Sequence, residues 1–244
     1  MSEIVKITLL GLFFGTFGTT IGGIIGVLFK NPSKKILSFI LQFSAGLMSA
    51  IICFDLIPEA LEISNMSSLL VGIILGILVM ILCENAVKKN EKIASKSSSL
   101  LKTGIIVGIG LAIHNFPEGL AIGSGFGASI KLGYSVALAI AFHDIPEGIS
   151  MSFPMKNGGL SNTKAVFFTL LSGVTTGIGA FCGAIVGGIS KEIIGVCLAF
   201  AAGAMLYIVS GELIPESNKI YKGRIGVIGN IAGFIMGMIV FKLI

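Results

Sequence analysis

Long apolar stretches, each about the length that crosses a lipid bilayer, recur along most of the chain's 244 residues. A transmembrane α-helix needs roughly 20 mainly apolar residues, because the hydrocarbon core holds no water to satisfy exposed backbone groups. Hydrophobic residues make up 54% of the sequence and charged residues only 12%, which excludes an ordinary soluble domain. The sequence therefore predicts an all-α membrane protein with eight transmembrane helices, at residues 7–29, 36–58, 68–87, 103–126, 133–153, 165–189, 193–215 and 225–243.

The positive charges are shared unevenly between alternate loops. If the N-terminus lies outside the cell, 13 of the 17 Lys and Arg residues fall on the cytosolic side. Positively charged loops are retained in the cytosol, so this bias predicts a multi-pass protein of the plasma membrane with both termini outside. The distribution also accounts for the net charge of +5. We therefore expect the lipid bilayer, and no nucleic acid, as a partner.

An internal repeat relates the two halves of the chain. After a shift of 157 residues, residues 43–59, FSAGLMSAIICFDLIPE, align without a gap with residues 200–216, FAAGAMLYIVSGELIPE. The repeat units, about 7–87 and 165–243, begin five predicted helices apart, so they must face opposite sides of the membrane. Inverted repeats with a binding site near the midplane are typical of secondary transporters. We predict a single polytopic domain over 1–244, with helices 1–3 and 6–8 around helices 4 and 5 in a 3+2+3 arrangement.

Helices 4 and 5, within residues 103–153, contain two matching hexapeptides, HNFPEG at 114–119 and HDIPEG at 143–148. These hold both histidines of the chain. Ionisable side chains at membrane depth are costly and usually mark an ion pathway. Residues four apart share a helix face, so each histidine faces the same way as the glutamate of its motif. The predicted metal ligands are His114, Asn115, Glu118, His143, Asp144 and Glu147.

The types of side chain in the two motifs indicate the class of ion. Two imidazoles and two carboxylates suit a first-row divalent ion such as Zn²⁺, whereas Mg²⁺ or Ca²⁺ would not need histidine. Pro117 and Pro146 are each expected to kink their helix and free a backbone carbonyl beside the ligands. The alternative is that each His and Glu form a structural hydrogen-bonded pair across the bundle. Two copies of the motif on adjacent helices favour the metal site.

Acidic residues also lie at the ends of the two repeat-related helices. Asp55 and Glu59 close helix 2, and Glu212 and Glu216 close helix 7 at the opposite face of the membrane. We interpret them as groups that attract or relay cations on the two sides. The alternative is that they are interfacial residues in water, at helices that the following prolines stop.

The paired motifs and the LIPE sequences that end helices 2 and 7 resemble the ZIP family of divalent-metal transporters. The Pro-Glu-Gly form of both motifs is similar to its bacterial GufA-like branch. The resemblance implies import of zinc, or of iron, manganese, cobalt or cadmium, into the cytosol by alternating access. The metal is then the transported substrate, and no organic cofactor is expected. Several family members are dimers in which helices 4 and 5 belong to a sliding transport unit, so a homodimer is expected.

The resemblance also assigns roles to the motif residues. It implies a main metal site at the two histidines and two glutamates, and an adjoining second site with Asn115 and Asp144, which the glutamates bridge. The GufA-like branch usually adds a glutamate from helix 6 to the second site, where the alignment places Thr176. A hydroxyl replaces a carboxylate poorly, so we expect one firmly bound ion per chain.

Two other classes of protein share some of these features. An intramembrane metalloprotease would also place His and Glu in helices, but the chain lacks the HExxH motif, and we expect no enzymatic activity. A proton-coupled sodium or organic-cation carrier would also contain an inverted repeat. It would not need two equivalent imidazoles.

Overall fold

A computed structural model describes residues 2–29, 33–90 and 99–243. Within these residues the chain forms eight long helices and no strand, which confirms the predicted all-α class. The connection left between the predicted helices at 68–87 and 103–126 falls partly outside the described residues, and its described ends, 88–90 and 99–102, are helical. The helices are α1 (Glu3–Leu28), α2 (Lys34–Ile63), α3 (Met66–Asn90), α4 (Ser99–Ala128), α5 (Ile130–Asn157), α6 (Asn162–Gly187), α7 (Lys191–Ile220) and α8 (Arg224–Leu243).

Length and composition single out five stretches that could cross a membrane by themselves: α1, α2, the Met66–Ala86 part of α3, α6 and α7. The helices α4 and α5 carry the two polar motifs and are packed among these apolar helices. A large share of α5 is buried, including the polar motif residues His143, Asp144 and Glu147. The polar groups of the motifs are therefore enclosed by protein.

Serine residues begin five of the helices. The hydroxyl of each accepts a hydrogen bond from the backbone N–H three residues later, which satisfies a donor that the first turn leaves free. Because of these caps, the five helices begin two to four residues before the predicted starts at 7, 36, 133, 165 and 193. The capping residues are Ser2, Ser33, Ser129, Ser161 and Ser190.

The helices α2 and α7 continue past the prolines that were expected to stop them. In α2 a π-helical turn at Ile52–Leu56 precedes Pro58, and in α7 an equivalent turn at Val209–Leu213 precedes Pro215. Each proline then falls in the first turn of a new α-helical segment, where a missing N–H is tolerated. The predicted ends at 58 and 215 were therefore wrong.

The eight helices pack as two groups of four. One group contains α1, α4, α5 and α6, and the other contains α2, α3, α7 and α8. The groups meet mainly where α4 packs on α7 and α5 packs on α2. The helix contacts have an internal symmetry. If α1, α2 and α3 are exchanged with α6, α7 and α8, and α4 with α5, the contact between α4 and α7 becomes the contact between α5 and α2. The contacts within the two groups are exchanged in the same way.

Glycines allow the closest approaches, and these lie inside each group. A Cβ atom added to Gly22 of α1 would lie 2.1 Å from the Ile145 carbonyl oxygen of α5, and one added to Gly46 of α2 would lie 1.9 Å from a carbonyl oxygen of α8. Across the groups, a Cβ on Gly127 of α4 would meet Ile194 of α7 at an ordinary 3.5 Å. The closest backbone approaches at glycines thus lie within the groups.

Candidate metal centre

Four of the six predicted ligands come together between α4 and α5. One ligand atom from each of Glu118, His143, Asp144 and Glu147 lies within 4.8 Å of the others, and all four residues are buried. His143 Nε2 is 2.9 Å from Glu118 Oε1 and 3.4 Å from Asp144 Oδ1. The glutamate of one motif therefore meets the histidine of the other.

The imidazole of His143 is oriented by its own helix. Its Nδ1 lies 3.2 Å from the Ala139 carbonyl oxygen, which can only accept a hydrogen bond, so Nδ1 is the donor. A backbone partner on one ring nitrogen commonly fixes the tautomer of a metal-binding histidine. Nε2 then faces Glu118, and a bound divalent ion would take the place of a proton shared between the two side chains.

The carboxylates in this group have unused oxygen atoms. Among the described residues, Glu118 Oε2 and both oxygens of Asp144 and Glu147 form no hydrogen bond, although all five atoms are buried. His143 Nε2 lies 3.4 Å from Asp144 Oδ1 without forming one. Burying carboxylates without partners costs several kcal/mol, so the arrangement calls for a cation or for protons. One imidazole with three carboxylates suits a borderline first-row divalent ion. The residues present therefore fit the predicted metal.

The other two predicted ligands lie apart from this group. His114 Nε2 is 3.3 Å from Glu212 Oε2 of α7, where it lines a cavity. Asn115 is buried and its Nδ2 donates to the Ser172 carbonyl oxygen of α6 at 3.0 Å, while its Oδ1 has no donor within the described residues. A metal-binding role for these two residues stays a prediction.

Thr176 lies where α6 meets α1 and α4. It is fully buried, and a Cβ on Gly119 of the first motif would lie 1.9 Å from the Thr176 carbonyl oxygen. A Cβ on Gly15 of α1 would lie 2.5 Å from its Oγ1, which has no hydrogen-bond partner among the residues described. The helix 6 position that the alignment singles out is thus packed against the first motif.

A cavity of about 560 Å³ extends from His114 towards one end of the molecule. Its lining includes Glu212, Glu84 and, at the surface, Glu216 and Lys219, whose side chains are 56% and 74% exposed and form a 3.1 Å ion pair. Glu84 accepts a hydrogen bond from the Tyr207 hydroxyl. The sequence did not single out Tyr207, because its partner lies 123 residues away.

The opposite end of the seam between the two groups is closed by apolar side chains. Ile52 and Leu56 of α2 and Val136 and Ile140 of α5 have no exposed surface. Asp55 lies in this region and is 4% exposed, so the alternative of an interfacial residue in water does not hold for it, and its role towards cations stays a prediction. The π-helical turn places it inside the protein, where Ser135 of α5 donates to it.

A buried histidine–carboxylate group among helices long and apolar enough to cross a membrane defines the class: a helical membrane protein with a buried group of side chains that could hold a cation. A family model described as ZIP Zinc transporter matches residues 88–244, which include both motifs. The chain belongs to the ZIP family. This confirms the resemblance seen in the motifs.

Relatives of the chain carry the same description. It is 32% identical to the zinc transporter ZupT of Clostridium perfringens, over 97% of this chain and 95% of that protein. It is 31% identical to ZupT of Chlorobium chlorochromatii, over 91% and 92%. The match to the zinc transporter GufA of Myxococcus xanthus is 34% identical, and it spans 64% of this chain and 61% of that protein. The zinc transporter ZIP11 of Xenopus tropicalis is 39% identical, but the match spans only 45% of its length.

These similarities identify a multi-pass membrane transporter and not an enzyme, so the alternative of an intramembrane metalloprotease falls away.

Proposed function

We propose that this chain is a permease for divalent transition metals, with zinc as its main substrate, and that the ion binds between α4 and α5 during transport. The observation that carries the proposal is the buried group of Glu118, His143, Asp144 and Glu147, with its five carboxylate oxygens that form no hydrogen bond among the described residues. Relatives that match over nearly their whole length are named zinc transporters, which supports the choice of metal.

The types of metal-ligand side chain determine which ions are expected as substrates. A single imidazole favours zinc, iron, cobalt or cadmium over Mg²⁺ and Ca²⁺, while three carboxylates also accept Mn²⁺. The carboxylates supply the negative charge that offsets the hydration lost by the ion in a low-dielectric site. His114 would complete the first coordination sphere only after its imidazole turned away from Glu212, which it now faces.

The cavity indicates how the ion leaves the site. With both termini outside the cell, the C-terminal end of α7 lies at the cytosol, so the cavity beside His114 opens to the cytosol. Glu212 and Glu216 on its wall would relay the ion from the site towards the cytosol. The apolar seam around Asp55 separates the site from the outside. The chain is therefore in an inward-open state of an importer in the plasma membrane.

Alternating access would come from a movement of one helix group against the other. The close glycine contacts lie within each group, which supports the movement of each group as one body. The exchange symmetry of the helix contacts supports the inverted repeats at 7–87 and 165–243. We keep the homodimer as part of this proposal.

Uptake into proteoliposomes tests the function. Purified protein should take up zinc, and Glu118→Gln should remove the uptake because it deletes one charge of the site without changing the size of the side chain. Glu192→Gln is the matched control, since Glu192 is an exposed carboxylate at the start of α7, away from the site. Competition with a panel of metals, with sodium, and with an imposed pH gradient would separate a metal permease from a carrier for other cations. Zinc uptake that Glu118→Gln leaves unchanged would contradict the proposal.

Cysteine labelling tests the orientation. Glu62 and Asn218 are exposed residues near the ends of α2 and α7. An impermeant thiol reagent applied to cells should label Glu62→Cys directly, and Asn218→Cys only after permeabilisation. The reverse pattern would overturn the direction of transport proposed above.

A further inference from the structure

A hydrogen bond joins the two helix groups at the closed end of the seam. Ser135 Oγ of α5 donates to the Asp55 carboxylate of α2, at 3.3 Å from Oδ1 and 3.1 Å from Oδ2. Asp55 and Ser135 are only 4% and 2% exposed. Ser135 lies two helical turns before His143, on the helix that carries the second motif. The bond therefore links the group that holds the metal site to the other group.

The surroundings make this bond stronger than a similar one in water. The neighbouring side chains of Ile52, Leu56, Val136 and Ile140 are apolar and fully buried. A hydrogen bond to an ionised acceptor is stronger than a neutral one, and a buried carboxylate that loses its donor pays a desolvation cost. Separating the groups here is unfavourable unless water or a cation reaches Asp55.

The internal repeat supplies a comparison within the same chain. Glu212 is the repeat counterpart of Asp55, and each lies in a π-helical turn of its helix. Glu212 faces the open cavity with 36% of its side chain exposed, and its Oε2 lies 3.3 Å from His114 Nε2. Asp55 is closed off against Ser135. The two related carboxylates thus occupy opposite situations, one beside an open cavity and one within a closed seam.

We propose that the Asp55–Ser135 hydrogen bond is a latch that keeps the outer end of the seam closed while the inner cavity is open. When the outer end opens the bond breaks, and the Asp55 carboxylate becomes free to face an incoming cation. Ser135 is then a positioning residue that touches no metal and sets the balance between the two states. The words inner and outer rest on the proposed function, but the latch itself does not depend on the direction of transport.

Two cysteine reporters on α5 distinguish the two states. Ala139 lies one turn from both Ser135 and His143 and is 2% exposed, so Ala139→Cys reports opening of the closed end. Ser150 lines the inner cavity, so Ser150→Cys reports opening of that side. Each is introduced into protein whose four native cysteines, all free, have been replaced by serine. Labelling rates with a water-soluble thiol reagent are measured on purified protein in detergent, which requires neither uptake nor a known orientation.

Removal of the donor should open the closed end. Ser135→Ala should raise the labelling rate at Ala139→Cys about tenfold, the effect of losing a hydrogen bond to a charged group. The rate at Ser150→Cys should not rise. Ser135→Thr keeps a hydroxyl and should restore slow labelling. In an Asp55→Ala background, Ser135→Ala should have no further effect, because the acceptor is already gone.

Ser152→Ala is the matched control. Ser152 is a fully buried serine of the same helix, and its hydroxyl has no hydrogen-bond partner among the described residues. Its removal should leave both labelling rates unchanged. The latch is refuted if Ser135→Ala changes neither rate, or if it raises both rates together, since a loosened structure would expose the two reporters alike.

Discussion

The contact between α1 and α5 next to the proposed metal site offers a stringent test of the packing. In α1, a Cβ atom on Gly22 would lie 2.1 Å from the Ile145 carbonyl oxygen and 2.9 Å from Gly148 Cα. Ordinary Cβ contacts begin near 3.4 Å, so Gly22→Ala requires the two helices to separate by roughly 1 Å. Overpacking of this kind costs about 1–3 kcal/mol, and the better helix propensity of alanine returns up to about 1 kcal/mol.

We therefore expect Gly22→Ala to destabilise the protein by about 1–2 kcal/mol, which lowers the apparent Tm by roughly 2–8 °C in a chain of this size. Zinc binding should weaken as well, by about tenfold or more, because Ile145 and Gly148 flank Glu147 and their displacement disturbs the position of a ligand. The assays are thermal unfolding in one fixed detergent and zinc titration of the purified protein.

Gly110→Ala is the matched control for this experiment. Gly110 is a helical glycine of α4, and a Cβ atom there would meet nothing within 4 Å. Its replacement should leave the apparent Tm unchanged or raise it slightly, because alanine favours the helix by up to about 1 kcal/mol. If Gly22→Ala melts at the same temperature and binds zinc as tightly as Gly110→Ala, the close crossing of α1 and α5 is wrong.

Three further predictions concern the site itself. Glu118→Ala and Glu147→Ala should each abolish zinc uptake in proteoliposomes while gel filtration shows folded protein, because each removes charge that the buried ion needs; near wild-type uptake in both would argue against the site. His143→Ala should weaken zinc binding by more than about 100-fold in calorimetry and His114→Ala by clearly less, because only His143 lies in the four-residue group; equal losses would show that both histidines bind the ion. Thr176→Glu should raise the zinc content of folded protein from one ion per chain towards two, since it adds a carboxylate beside the first motif; two firmly bound ions in the unchanged chain, counted by mass spectrometry, would contradict the single-ion expectation.

The helical class and the pairing of the motifs could be predicted from local patterns. Apolar runs of spanning length give the helices, and the spacing of four residues puts each histidine and glutamate on one face. The two motifs are locally alike, however, so no local pattern shows that His143 meets Glu118 while His114 meets Glu212. That difference depends on how α4 packs against α7 and α5 against α2, and on which end of the seam is open.

The errors also have local physical causes. Proline usually ends a helix, but the π-helical turns before Pro58 and Pro215 shift the backbone hydrogen bonds and let α2 and α7 continue. The same turn brings Asp55 into the protein interior, where a donor 80 residues away satisfies it. Contacts at such separations leave no periodic signal in the sequence, so Ser135 could not be identified as the partner.

Anomalous diffraction at the zinc absorption edge, from crystals of the zinc-loaded protein, tests the central claim most directly because it locates the ion. We predict a strong peak between α4 and α5, within coordination distance of Glu118, His143, Asp144 and Glu147. A protein with Glu118→Gln, crystallised in the same way, should lose or greatly weaken this peak. Zinc found only at Glu212 and Glu216 in the cavity, with no density in the four-residue group, would contradict the account.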